Sequence, residues 1–254
     1  MTAIAAPFTE GDSPIHRLDP RYRLGGAALI TLPAAVLTSL QAALAALVVG
    51  ALLVLLARLP LSRVLARMAV VNVFILFLWV FIPFSLPGAP LLALGPLTAT
   101  DAGVRLALLL TVKSNAILLA LTALMATIEV QDLGPAMQRL KVPEKLCHIL
   151  LFTYRYIFVI HREYLTMRQA MQARGFKPRT NRHTYRSYAW LLGMLLVRSW
   201  DRAERVHAAM RCRGFRGRFY SLARFDASGR DRAFLALCLL AAASIIFLEI
   251  TRHS

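Results

Sequence analysis

The sequence predicts an all-α membrane protein, with about five transmembrane helices and a cytoplasmic helical domain carrying two long amphipathic helices. Three observations lead there. Of the 254 residues 58% are hydrophobic and the mean hydropathy is +0.58, yet the formal net charge is +17. One uniform soluble fold does not combine these values, whereas apolar spans beside a separate basic region do. The charge is also segregated: residues 139–232 hold 21 lysines and arginines against 6 acids, a net +15, while residues 68–104 hold no base at all. Finally, several apolar runs match the about 20 residues that a spanning helix needs.

The elements follow in chain order. Residues 1–23 begin "MTAIAAPFTEGDSP", with neither a basic n-region nor an apolar core, so no cleavable signal peptide is expected. Residues 24–57 are 34 residues without a charge, too long for one ordinary span. Arg17, Arg21 and Arg23 precede them and Arg58, Arg63 and Arg67 follow. Both flanks therefore favour the cytoplasm. Two short spans with an outside turn at Thr38, Ser39 and Gln41 satisfy this; one tilted helix would reduce the total to four. Residues 68–86, 106–128 and 233–250 supply the remaining spans. The base-free 87–104 loop lies outside, 129–232 inside, and the chain ends outside. The segments are thus 1–23, a four-helix membrane part over 24–128, the cytoplasmic domain over 129–232, and a last span with the C-terminus over 233–254.

Lys113, Ser114 and Asn115 form a polar cluster inside the fourth span. A charge at mid-bilayer costs about 2.5–3.5 kcal/mol on insertion scales. Lys113 and Asn115 either face a partner subunit within the membrane, or Lys113 snorkels outward while its neighbours bond to their own backbone.

In the basic region, Leu146, Leu150, Thr153, Ile157, Ile160, Tyr164, Met167 and Met171 step by three and four, predicting a helix to about Arg174 with one apolar seam. Pro143 suits its start. A shorter helix over about 130–140 precedes it. A second long helix is expected from about Tyr185 to Arg213, where Asp201 and Arg205 have i,i+4 spacing. Its apolar centre, "YAWLLGMLLV" at 188–197, is too short to span and must be buried or interfacial.

Both long helices end on one phrase: "AMQARGFK" at 170–177 and "AMRCRGFR" at 209–216. Gly175 and Gly214 suit the left-handed residue just past a helix end, with Phe176 and Phe215 folding back on the last turn. Arg174 and Arg213 then meet the negative end of the helix dipole. The phrase reads either as a helix stop used twice or as two equivalent docking ends. The shared Met, which a stop does not obviously need, favours docking.

With "HRLDPR" at 16–21, "TYRYIFV" at 153–159 and "RSWDRAERVHAAMRCRGF" at 198–215, the chain resembles the transmembrane T component of energy-coupling factor (ECF) transporters, most closely the cobalt-type CbiQ branch. The resemblance covers nearly the whole chain. It implies two Ala-Arg-Gly-type motifs that dock on ATPases: Ala173-Arg174-Gly175 and Cys212-Arg213-Gly214, the second with Cys where Ala is usual. It further implies a bacterial inner-membrane location and, as partners, two ABC-type ATPase subunits and a cobalt-type membrane substrate-binding subunit, with a small accessory membrane subunit as a further candidate. Nickel, biotin and shared vitamin systems use similar T components and stay open as alternatives.

Other classes find less support. There is no phosphate-binding Gly-rich loop, no H-E-x-x-H and no nucleophile elbow, so no catalytic residue is assigned. Neither a metal site nor a cofactor is expected: Cys147, Cys212 and Cys238 are scattered, and the spans offer only Cys238 and Glu249 as ligands. The basic region would bind nucleic acid nonspecifically, but positive charge beside spans is expected in any case, and anionic lipid is nearer; no nucleic acid is assigned as a partner.

Overall fold

The computed structural model describes residues 13–87, 90–94, 97–140, 142–217 and 228–253. The chain divides into two compact units, Met1–Ala136 with Arg224–Ser254, and Met137–Ala223.

The first unit opens with α1 (Pro20–Val36) and α2 (Leu40–Leu56). Residues 24–57 are thus two helices, broken at Leu37–Ser39, and Gln41 already lies inside α2. Asp19 starts α1 as its N-cap, accepting from the Arg21 amide, and Pro20 takes the position where its missing N–H is harmless. This cap draws Arg21 and Arg23 into the helix, which begins earlier than the charge-free stretch. Ser39 caps α2 through the Ala42 amide at 3.3 Å. At 17 residues each, the two helices are about 25 Å long, short of a hydrocarbon core.

Among the described residues three helices are long and apolar enough to cross a membrane: α3 (Leu61–Ser85), α4 (Asp101–Leu124) and α8 (Gly229–His253) over Gly229–Thr251. Val70, Val73, Phe74 and Leu76 of α3 are all exposed, as lipid contact requires. Small residues let α2 approach α4. Ala42, Ala46 and Gly50 recur every four residues on α2, and Ala116 and Ala120 do so on α4. A Cβ on Gly50 would lie 3.0 Å from the Ala116 carbonyl oxygen. Side-chain bonds tie α3 to α4: the amides of Asn72 and Asn115 exchange two hydrogen bonds at 2.9 and 3.1 Å, and Trp79 Nε1 donates to Thr111 Oγ1 at 2.9 Å.

The 87–104 loop is not wholly irregular. β1 (Pro90–Leu94) and β2 (Leu97–Thr100) pair antiparallel, with Leu92 opposite Ala99 and Leu94 opposite Leu97. Thr100 then caps α4 through the Gly103 amide. The short helix expected over 130–140 is α5 (Val130–Arg139).

The second unit holds α6 (Glu144–Ala173) and α7 (Arg182–Cys212). Asn181 caps α7, accepting from the Thr184 amide at 2.9 Å, so the helix begins three residues before Tyr185. The two helices form an antiparallel hairpin. Phe176, just past α6, packs edge-on against Tyr188, with ring centroids 5.8 Å apart. Farther along, Glu163 is paired with both Arg198 and Arg202. Beyond that, Phe152, Tyr156 and Ile160 line a groove of about 350 Å³ with Ser199, Ala203, Val206 and Met210.

Two expectations change here. The α6 face toward α7 is turned from the expected seam toward Phe152, Tyr156 and Glu163, which leaves Leu146 and Ile157 exposed. The ion pairs run between the helices: Glu163 takes the arginines, and Asp201 and Arg205 form no pair among the described residues. Within the 188–197 run only Leu191 is buried, while Trp190, Leu196 and Val197 stand exposed.

Candidate functional site

The repeated phrase builds the same backbone twice. At the end of α6 the Phe176 amide donates to the Met171 carbonyl at 3.1 Å and the Gly175 amide to the Gln172 carbonyl at 2.9 Å. At the end of α7 the Phe215 amide donates to the Met210 carbonyl and the Gly214 amide to the Arg211 carbonyl, both at 3.0 Å. This is the Schellman arrangement, and φ is +80° at Gly175 and +82° at Gly214. In it the residue after the glycine pairs with the one five positions earlier, so Met171 and Phe176, and Met210 and Phe215, occupy the two positions that carry its apolar contact. The helix stop therefore accounts for the shared Met, which gives docking no separate support.

It does not account for the arginines. Arg174 and Arg213 are the C-cap residues, with φ,ψ of −85°, 14° and −87°, 10°. Any residue adopts that conformation. Ala173, Arg174, Gly175, Cys212, Arg213 and Gly214 are all exposed, and neither guanidinium has an ion pair among the described residues. A Cβ added at Gly175 or Gly214 would meet nothing within 4 Å. The space around each end is open to a partner.

The hairpin separates the two ends. Its register places Tyr188 beside Phe176 and Arg198 beside Glu163, which sets Arg213 near the level of residue 149. At 1.5 Å per residue, Arg174 and Arg213 stand about 35–40 Å apart along the hairpin, at opposite ends.

Of the polar cluster in α4, Lys113 alone reaches the break between α1 and α2 among the described contacts. Lys113 Nζ donates to the Leu37 carbonyl oxygen at 3.2 Å. Asn115 is 8% exposed; besides its bonds with Asn72 it donates to the Thr111 carbonyl at 2.9 Å. The sequence reading missed the opposite side of the break. Glu249 of α8 accepts from the amides of Thr38 and Ser39 at 2.7 and 3.1 Å and from both hydroxyls. The available signal was that Lys113 and Glu249 are each the single charged residue of their apolar runs, with opposite signs. Cys238 lies in the core beside Ala27 and Ile30, and among the described residues no three of His, Cys, Asp and Glu gather.

"HRLDPR" also finds a structural use. Asp19 accepts from the Arg21 guanidinium at 2.6 Å, and its own amide donates to Asp231 at the start of α8 at 3.0 Å. Burial works against the charged Asp19 carboxylate, but hydrogen bonds from the Arg21 side chain and amide outweigh it and hold the carboxyl below its ordinary pKa.

Comparison with known proteins adds relatives. The chain is 35% identical over 94 residues to the cobalt transport protein CbiQ of Rhodobacter capsulatus, covering 37% of this chain and 38% of that one. It is 29% identical over 116 residues to the uncharacterized protein MJ1089 of Methanocaldococcus jannaschii, covering 46% and 43%. A chain of Methanocorpusculum labreanum named as a fused cobalt transport protein, CbiMQ, is 27% identical over 118 residues, covering 46% and 20%. The chain thus matches under half the length of each of these relatives. The family model for the cobalt transport protein CbiQ, by contrast, matches residues 11–221, a span that contains the break between α1 and α2, the hairpin and both arginine ends, and the chain belongs to that family.

Proposed function

We propose that the chain is the transmembrane energy-coupling subunit of an ECF-type importer for cobalt ion. It carries no catalysis itself. Its partners are two ABC-type ATPases, a membrane substrate-binding subunit and a small accessory membrane subunit. The observation that carries this reading is the pair of exposed C-cap arginines, which the helix stop does not need. An arginine offers five donors in a rigid fork, suited to carboxylates and to free carbonyls at a partner's helix end. Two such ends, at opposite tips of one hairpin, fit two copies of one ATPase better than a single contact. Closure of the ATPases on ATP would move both tips, and the hairpin would pass the movement to the substrate subunit. The family, together with the fused relative's name, supports cobalt over nickel or a vitamin. The positive charge of the hairpin region supports a cytoplasmic position for it in an inner-membrane protein.

The test is copurification of the ATPases and metal uptake for Arg174→Ala, Arg213→Ala, the double variant and the Lys variants, beside Arg216→Ala as control. Each docked arginine contributes about 1.5–3 kcal/mol, and Lys replaces it poorly. The double variant should lose uptake. Full assembly and uptake in that variant would overturn the reading.

A further inference from the structure

The side of α7 turned away from α6 carries a stripe that the proposed coupling role does not use. Leu191, Ser199, Arg202 and Val206 face α6 or are buried. On the opposite side, Arg182, Arg186, Trp190, Gly193, Val197 and Trp200 follow one another at steps of four and three, so they share one face. Trp190 is 66% exposed, Val197 53% and Trp200 68%. Both arginines are exposed as well. The stripe runs about 27 Å along the helix. Trp200 Nε1 donates to Glu204 at 3.1 Å, so the indole keeps its polar edge satisfied and its apolar body outward.

We infer that this face of α7 is a docking surface for anionic phospholipid, lying in the headgroup region of the bilayer. Two tryptophans with an apolar stripe between them and arginines at one end form the pattern of a helix lying in the interface plane. The charge complements the ligand: residues 139–232 around the stripe carry +15, and the stripe itself begins with two exposed arginines, Arg182 and Arg186. A protein partner would find its apolar groove on the other face, between Tyr156 and Val206. The lipid contact would hold the hairpin at a set depth.

The chain has three tryptophans, at 79, 190 and 200, so Trp79→Phe leaves only the two of the stripe. The full chain carrying this change would be reconstituted into vesicles of phosphatidylcholine, or of phosphatidylcholine with about one third phosphatidylglycerol, with bromine placed near the headgroup of either lipid. Quenching should be strongest when the anionic lipid carries the bromine and should weaken with salt. In Arg182→Gln or Arg186→Gln the ratio of docked to undocked helix should fall about fivefold per arginine. Trp190→Phe in the same background should keep the effect on Trp200. Equal quenching by both lipids with no dependence on salt or on the arginines would overturn the anionic assignment. Full access to iodide with no lipid quenching would place the stripe in water and overturn the proposal. Protection that arises only when the ATPases or another membrane subunit are added would give the face to a protein and equally overturn it.

Discussion

Lys113 on α4 donates to the carbonyl oxygen of Leu37, the residue that ends α1, across 3.2 Å. The end of a helix leaves carbonyls without partners and carries partial negative charge, and Leu37 is buried. A cation there answers both needs. Glu249 does the same for the amides that begin α2. Lys113→Met should cost about 1–3 kcal/mol by leaving a buried carbonyl unbonded. Glu249→Gln should cost less than Glu249→Leu, since the amide oxygen still accepts. Because both residues serve one break, the double variant should be less destabilised than the sum. Thermal unfolding of the detergent-solubilised chain, followed by size exclusion, reads all three.

The helix stop and the arginine it presents are separable. Gly175→Ala forces a left-handed alanine and should cost about 1–2 kcal/mol. Arg174→Ala, at an exposed cap without an ion pair, should change stability by less than about 0.5 kcal/mol. The same contrast should hold for Gly214 and Arg213. Equal loss of thermal stability in both variants would make the arginine part of the stop and would leave the docking reading without its main support.

Close approach between helices is where glycine is required in the membrane unit. A Cβ on Gly103 would lie 2.7 Å from the Pro83 Cα and 2.8 Å from the Ile82 carbonyl oxygen, both backbone atoms. Gly103→Ala should cost about 1–3 kcal/mol through overpacking. Gly193→Ala on α7, where a Cβ meets nothing within 4 Å, should be neutral or stabilising by up to about 1 kcal/mol. Paired melting curves decide it.

Asp19 gives the membrane unit an acid-sensitive joint. Its carboxyl titrates below the ordinary range when folded, so it stabilises the fold at neutral pH, and that contribution disappears as pH falls through its folded pKa. Asp19→Asn should lower the melting temperature at pH 7, and the gap to wild type should close toward pH 3. A gap that persists unchanged at low pH would mean the ionised form is not what holds α1.

Topology is open to a direct measurement. Single cysteines at Pro87 and Ser187, in a background without Cys147, Cys212 and Cys238, should label from opposite sides with an impermeant reagent. Outside labelling of both would refute a cytoplasmic hairpin.

The amino-acid pattern alone determined the helices, their order and the separation of apolar from basic halves, because periodicity and charge act locally and the bilayer rewards long apolar runs. It also showed the break near Thr38 and Ser39, since charges on both flanks of 24–57 leave few other solutions. The left-handed glycines were legible for the same local reason. What closes the break was decided only in three dimensions. Glu249 is more than two hundred residues from Ser39, and nothing in the sequence says which helix end an isolated carboxylate will meet. The same holds for α6 and α7. Their apolar residues outnumber the contact between them, so periodicity marked a seam, but which of those residues meet the other helix, and which side of α7 faces outward, came only from the packing of the pair, with Glu163 set against Arg198 and Arg202.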